Sequence, residues 1–211
     1  MIGKIEELIQ RYPLLSSNQG EIYKAYELMK TSYEDRGKLL VAGNGGSASD
    51  AEHIVGELMK GFKLPRRMDE ALGERFIAID DACGAELADK LQNALPAIAL
   101  TSHTSLNTAF LNDVDGKLCF AQQVNGYGMK GDVFMAMSTS GNSENILYAA
   151  ITAKAKGLKV IGLTGKGGGK LASLADVMIA VDEEETYRAQ ELHVPVYHCL
   201  CLMLEEYFFG K

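Results

Sequence analysis

Lys38-Leu39-Leu40-Val41-Ala42-Gly43-Asn44-Gly45-Gly46-Ser47 passes from an apolar strand through a glycine turn into a helical stretch carrying His53 and Glu57. A strand that turns on glycine into a helix aims free backbone N–H groups and the positive end of the helix at one small space, a geometry that binds phosphate. About ninety residues later the arrangement returns, with Gly131-Asp132-Val133-Phe134-Met135-Ala136-Met137 leading into Ser138-Thr139-Ser140-Gly141-Asn142-Ser143 and a further helix. Two such corners predict a site for a small phosphorylated molecule.

Outward from these corners, strand candidates stand at 38–42, 97–101, 132–137, 159–164 and 177–181, each short and apolar on both faces, as inside a parallel sheet covered by helices. Helices fit between them at 48–62, 105–112, 117–127, 143–156 and 169–174, with a last one at 186–209. Two more, at 3–11 and 18–35, come before the first strand and are separated by Tyr12-Pro13. The alternation predicts an α/β doubly wound sheet with right-handed crossovers and ligands at the carboxyl ends of the strands. Residues 1–211 read as one domain, with N-terminal helices over 1–36 and an insertion over 63–94. In that insertion Arg66 and Arg67 lie in a basic turn that reads as solvated, and Ala85–Leu95 reads as a helix ending at Pro96.

The 211 residues are 47% hydrophobic and 23% charged, ordinary for a globular protein with a substantial core, and the net charge of -7 argues against a general nucleic-acid binder. Neither a signal peptide nor a membrane-spanning run is expected, so a cytoplasmic location is. Cys83, Cys119, Cys199 and Cys201 contain no Cys-x-x-Cys pair and read as reduced packing residues.

The glycine turns admit other readings. Gly43-Asn44-Gly45-Gly46-Ser47-Ala48 fits a dinucleotide-binding pattern, but no strand ending in an acidic residue follows about 20 residues on. Gly165-Lys166-Gly167-Gly168-Gly169-Lys170-Leu171 fails as a nucleoside-triphosphate loop, because its spacing is one residue short and Leu171 replaces a hydroxyl. In the serine cluster one hydroxyl is expected to cap the following helix, leaving the others for phosphate oxygens.

On the helix after the first turn, Asp50, His53, Glu57 and Lys60 form a polar stripe beside a core stripe of Ala51, Ile54, Val55 and Leu58. The last helix carries Gln190, Glu191, His193 and His198, and Pro195 within it is expected to kink it. Spacing alone leaves a surface ion pair, a metal site and an acid/base site all open.

The first glycine turn, the His53–Glu57 step, Asn112-Asp113, Ser138-Thr139-Ser140-Gly141-Asn142-Ser143, Leu163-Thr164-Gly165-Lys166 and Gln190-Glu191-Leu192-His193 with His198 together resemble the phosphoheptose isomerases of the sugar isomerase (SIS) domain family. The resemblance covers the chain outside about 63–94. It implies a five-stranded parallel sheet flanked by helices, a homotetramer with shared active sites, and isomerisation of sedoheptulose 7-phosphate to D-glycero-D-manno-heptose 7-phosphate through an enediol. It further implies substrate contacts from Asn44, Gly45, Gly46, Ser47, Glu57, Asn112, Asp113, Ser138, Thr139, Ser140, Ser143 and Gln190. Glu57 is then the base and His198 the acid, and zinc is held by His53, Glu57, Gln190 and His198. A non-catalytic sugar-phosphate-binding regulator of the same family, or an isomerase of another sugar phosphate, are the rival readings.

Overall fold

In the computed structural model, which describes residues 2–210, the apolar runs become five short strands: β1 (Leu39–Ala42), β2 (Ala97–Ala99), β3 (Val133–Met137), β4 (Lys159–Thr164) and β5 (Val177–Ala180). All pair in parallel, in the order β2-β1-β3-β4-β5. Every residue of β1 and β3 is buried, as expected of strands covered on both faces. The buried Asp132 carboxylate fastens the start of the two central strands, accepting from the Lys38 N–H at 3.0 Å, the Lys38 ammonium at 2.6 Å and the Met129 N–H at 2.9 Å.

Alternate strand residues feed two cores. Leu39, Val41, Val133 and Met135 pack with α1 (Ile2–Arg11), α2 (Gln19–Glu34), α3 (Gly46–Met59) and α9 (Thr186–Phe209). Leu40, Ala42, Phe134 and Ala136 pack on the other face, against α7 (Cys119–Tyr127) and α8 (Glu144–Ala155). Among the described residues no helix is long and apolar enough to cross a membrane.

Several expectations are corrected. The stretch at 105–112 divides into α6 (Thr104–Phe110) and a wide π turn over Leu111–Asp115, and 169–174 is a 3-10 turn over Gly169–Ser173. Cys83 is exposed, whereas the other three cysteines are buried and all four are free. Helix α9 runs over Thr186–Phe209 as expected, with Pro195 inside it at the cost of a hydrogen bond. Arg66 is no solvated turn residue: it is 2% exposed and paired with Glu205.

The insertion folds as two helices, α4 (Glu70–Ile79) and α5 (Asp81–Lys90), rather than one over 85–95. Their starts are capped by Asp69, which accepts from the Leu72 N–H, and Asp80, which accepts from the Cys83 N–H. The two helices pack chiefly on each other, and Ile79 at their junction is 83% exposed. A Cβ at Gly84 would stand 2.2 Å from the Phe76 carbonyl oxygen, so the close approach depends on glycine. Gly84→Ala is therefore expected to weaken this hairpin by ~1–3 kcal/mol through overpacking. Amide exchange should accelerate over 70–90 and stay unchanged in the five strands; unaltered exchange over 70–90 would contradict the packing.

Candidate active site

The strand order reverses between β1 and β3, and a doubly wound sheet opens a crevice at the carboxyl ends of the strands on either side of such a point. Both polar turns lie there. Asn44, Gly45, Gly46 and Ser47 line one side of a cleft, and Met137, Ser138, Thr139 and Ser143 line the other. Thr186 and Gln190, from the first turn and a half of α9, complete the wall. The two turns are tied by a reciprocal amide pair, with the Asn44 Nδ2 donating to Asn145 at 3.0 Å and the Asn145 Nδ2 donating to Asn44 at 2.8 Å.

The hydroxyls are deployed differently from the sequence expectation. Ser143 occupies the N-cap of α8, yet its side chain caps nothing; its Oγ lies 3.0 Å from the Ser138 Oγ, beside the cleft. Helix α3 also begins, at Gly45, without a side-chain cap. Two helix N-termini thus meet one cleft without a side-chain bond from their N-cap residues. Turn bonds take the Ser47, Ala48 and Ile146 N–H groups, the last also bonded by the Asn145 Oδ1, so the helix dipoles and the remaining turn N–H groups are what the ends offer an anion. Ser140 faces away, its Oγ accepting the Asn142 N–H at 3.2 Å, and it does not line the cleft.

Helices α3 and α9 run side by side from this rim. At the rim Gln190 presses on Gly46, where a Cβ would come within 2.6 Å of the Gln190 amide nitrogen. Two turns further on, the His53 Nε2 lies 3.4 Å from the His198 Nε2 and 3.3 Å from the Glu57 Oε1. Helical rise places the His53 Cα about 10 Å and the Glu57 Cα about 16 Å beyond Gly46 along α3, and the His198 Cα about 12 Å beyond Gln190 along α9, while the His53 and Glu57 side-chain ends meet at 3.3 Å.

Behind the cluster the Tyr197 hydroxyl donates to the Asp50 Oδ1 at 3.1 Å and lies 3.0 Å from the His53 Nδ1. Since the tyrosine O–H is directed at Asp50, the His53 Nδ1–H donates to the tyrosine oxygen, which orients the ring with its Nε2 towards Glu57 and His198. Burial, reinforced by the neighbouring His53, holds His198 below the ordinary histidine range, with Glu57 opposing. The Glu57 Oε2 is buried with no hydrogen-bond partner.

These donors suit zinc in part. Two imidazoles and a carboxylate are ordinary zinc ligands, and the 3.3 and 3.4 Å separations equal the ligand–ligand edges of about 3.3 Å in a tetrahedron with zinc bonds near 2.0 Å. Among the described residues, however, no group of three or more His, Cys, Asp or Glu surrounds a common metal position. Gln190, the fourth expected ligand, stays at the rim against Gly46. Asn112 and Asp113 are also apart from the cleft: they sit exposed in the π turn, with the Asn112 Nδ2 donating to the Asp113 Oδ1 at 2.8 Å.

Sequence reasoning missed Asn145, Thr186 and Tyr197 as parts of this region; Asp50 was placed on one helix face with His53, without its tyrosine partner. Asn145 lies two residues beyond Ser143, so its place on the first turn of α8 was the available signal. Tyr197 is adjacent to His198, but only the pairing of α3 with α9 shows that its hydroxyl reaches His53.

With this geometry in hand, comparison with known proteins is informative. The family profile of the SIS domain matches residues 3–75 and 82–165, the break falling inside the α4–α5 hairpin. A phosphoheptose isomerase of Nitratiruptor sp. is 41% identical over 187 residues, spanning 89% of this chain and 86% of the relative. One from Aneurinibacillus thermoaerophilus is 40% identical, spanning 84% and 76%. The solved phosphoheptose isomerase of Neisseria gonorrhoeae superposes with a TM-score of 0.74 at 32% identity, covering 95% of this chain and 94% of that one.

His193, between Gln190 and His198, is fully buried, and neither ring nitrogen has a hydrogen-bond partner. Burial pushes it down to about 4, the Thr164 backbone offsetting this only in part. Because the folded value lies below the ordinary histidine value near 6.5, protonation favours the unfolded chain. Stability is present above that value and is lost as pH falls towards 4, by about 3 kcal/mol. Urea titrations of wild type and His193→Phe between pH 7 and 4 should diverge by this amount, the wild type losing more; parallel pH profiles would contradict it.

Proposed function

The chain belongs to the SIS domain family and to its phosphoheptose isomerases, enzymes that isomerise sugar phosphates, and on that footing we propose that its reaction converts sedoheptulose 7-phosphate to D-glycero-D-manno-heptose 7-phosphate. The observation that carries the reading is the offset between the two halves of the site. An uncharged, donor-rich rim lies about 10 Å along α3 from a carboxylate–imidazole cluster. An extended chain advances ~1.2 Å per bond, so a heptulose phosphate spans about 10 Å from phosphorus to its first carbon. A pentulose phosphate is shorter by two bonds.

With the phosphate on Ser138, Thr139, Ser143 and the N–H groups of the two turns, C1 and C2 of the ketose reach Glu57 and His198. Glu57 removes a proton from C1 and returns it to C2, and its Oε2, 3.9 Å from the Lys60 ammonium, has no hydrogen bond to give up as it does so. His198, held neutral, presents an N–H to the oxygen on C2, where negative charge develops, and passes a proton between the two oxygens as the enediol becomes an aldose. Zinc on His53, Glu57 and His198, with Gln190 joining only by leaving Gly46, would supply positive charge at that oxygen. A cytoplasmic homotetramer, in which Asn112 and Asp113 complete a neighbouring copy's site, belongs to the same proposal.

Product analysis by NMR should show conversion of the heptulose phosphate with kcat/KM at least ~100-fold above fructose 6-phosphate and ribulose 5-phosphate. Glu57→Gln should lower kcat by about 10³-fold while sugar-phosphate binding persists. Tight binding without conversion of any ketose phosphate would instead identify a binding protein, and near-normal turnover by Glu57→Gln would remove that residue from the chemistry. Elemental analysis should find zinc that His53→Ala no longer retains; equal zinc in both would place the metal elsewhere.

A further inference from the structure

The start of the insertion supplies a joint between the two helices that carry the acid/base pair. Helix α3 ends at Met59, two residues after Glu57, and its last carbonyls need partners. Arg66 provides them: its Nη2 donates to the Glu57 carbonyl at 2.9 Å and its Nη1 to the Leu58 carbonyl at 2.6 Å. The third arm of the same guanidinium, Nε, donates to the Glu205 Oε1 on α9 at 2.9 Å. Glu205 also accepts the N–H groups of Phe62 at 2.7 Å, Lys63 at 2.8 Å and Leu64 at 3.1 Å, which folds the chain leaving α3 back onto α9. Phe209 covers the guanidinium, whose carbon lies 4.7 Å from the ring centroid. Arg66 and Glu205 are 2% and 1% exposed, so water does not compete for these bonds.

We propose that Arg66 and Glu205 are positioning residues for the isomerisation, locking the end of α3 to α9 and so fixing Glu57 and His53 against His198. Three arms in one rigid plane reach two backbone carbonyls of one helix and a carboxylate of the other, which a lysine, a single point donor, does not reproduce. The Glu57 carboxylate meets the His53 Nε2 at 3.3 Å and the exposed Lys60 ammonium at 3.9 Å, and the backbone that carries it is held by Arg66. The phosphate rim lies at the opposite ends of both helices, so loss of the joint should disturb the chemistry more than the binding.

The inference rests on the isomerase reading above, and its test separates the two. Arg66→Lys, checked for folding by circular dichroism and thermal melting, should lower kcat for sedoheptulose 7-phosphate at least tenfold with KM within threefold of wild type. Its crystal structure should show the His53–His198 nitrogen separation opened beyond the 3.4 Å seen here. If Arg66→Lys does not fold, Glu205→Gln, which keeps the volume and an acceptor oxygen, is judged by the same two readouts. A folded variant with wild-type kcat, a KM that rises as far as kcat falls, or an unchanged nitrogen separation would overturn the positioning role. A wild-type protein inert towards the heptulose phosphate would sink the functional reading instead, and the separation measured in the variant would then decide the joint by itself.

Discussion

The site is governed by the lateral packing of two helices that set out from the same rim. Helix α3 starts at the β1 turn and α9 starts beside it, so Gln190 meets Gly46, His198 meets His53, and Glu205 meets the chain just past Leu58. Contacts in register at three levels leave little freedom to slide. Ala51, Ile54 and Leu58 on one helix and Ala189, Val196 and Leu200 on the other are buried in the same core. Deleting such packing commonly costs about 2–5 kcal/mol per large side chain, more than the polar contacts around the histidines contribute individually. Hydrophobic burial therefore sets the lateral packing of the two helices, and the Arg66–Glu205 joint pins the far end of α3 within it.

The rim shows how an acidic protein accommodates a dianion. Among the described residues no lysine or arginine lines the cleft; its walls are Asn, Gly, Ser, Thr, Met and Gln. The compensating charge comes from two helix N-termini left without side-chain caps. An overall charge of -7 is then compatible with phosphate binding, because the donors act over a few ångströms while exposed charges farther off are screened. The same neutrality leaves the rim indifferent to the rest of the ligand, so discrimination falls to distance along the helices.

Much of this was legible in the chain. Short strands apolar on both faces gave the parallel sheet, and two glycine-rich or serine-rich turns gave the rim, because both signals are local. What was illegible depends on tertiary partners. One hydroxyl of the serine cluster was expected to cap α8, but the N-cap residue Ser143 caps nothing and its Oγ lies against Ser138 beside the cleft. Arg66 sits in a stretch rich in charge and proline that reads as surface, and its burial follows from Glu205, 139 residues away. Gln190 and His198 share one helix and looked like co-ligands, yet eight residues of helix separate their Cα atoms by about 12 Å. The α4–α5 hairpin escaped notice because Gly73 and Gly84 weaken the helix signal while permitting the close packing that forms it.

The central claim is that rim and cluster are two ends of one binding site. A crystal structure of the protein with sedoheptulose 7-phosphate, trapped by Glu57→Gln, tests it most directly. The account predicts the phosphate between the turns at 43–47 and 138–143, with C1 and C2 within hydrogen-bonding range of residue 57 and His198. A sugar whose phosphate occupies that rim while its first two carbons point away from α3 and α9 would contradict it.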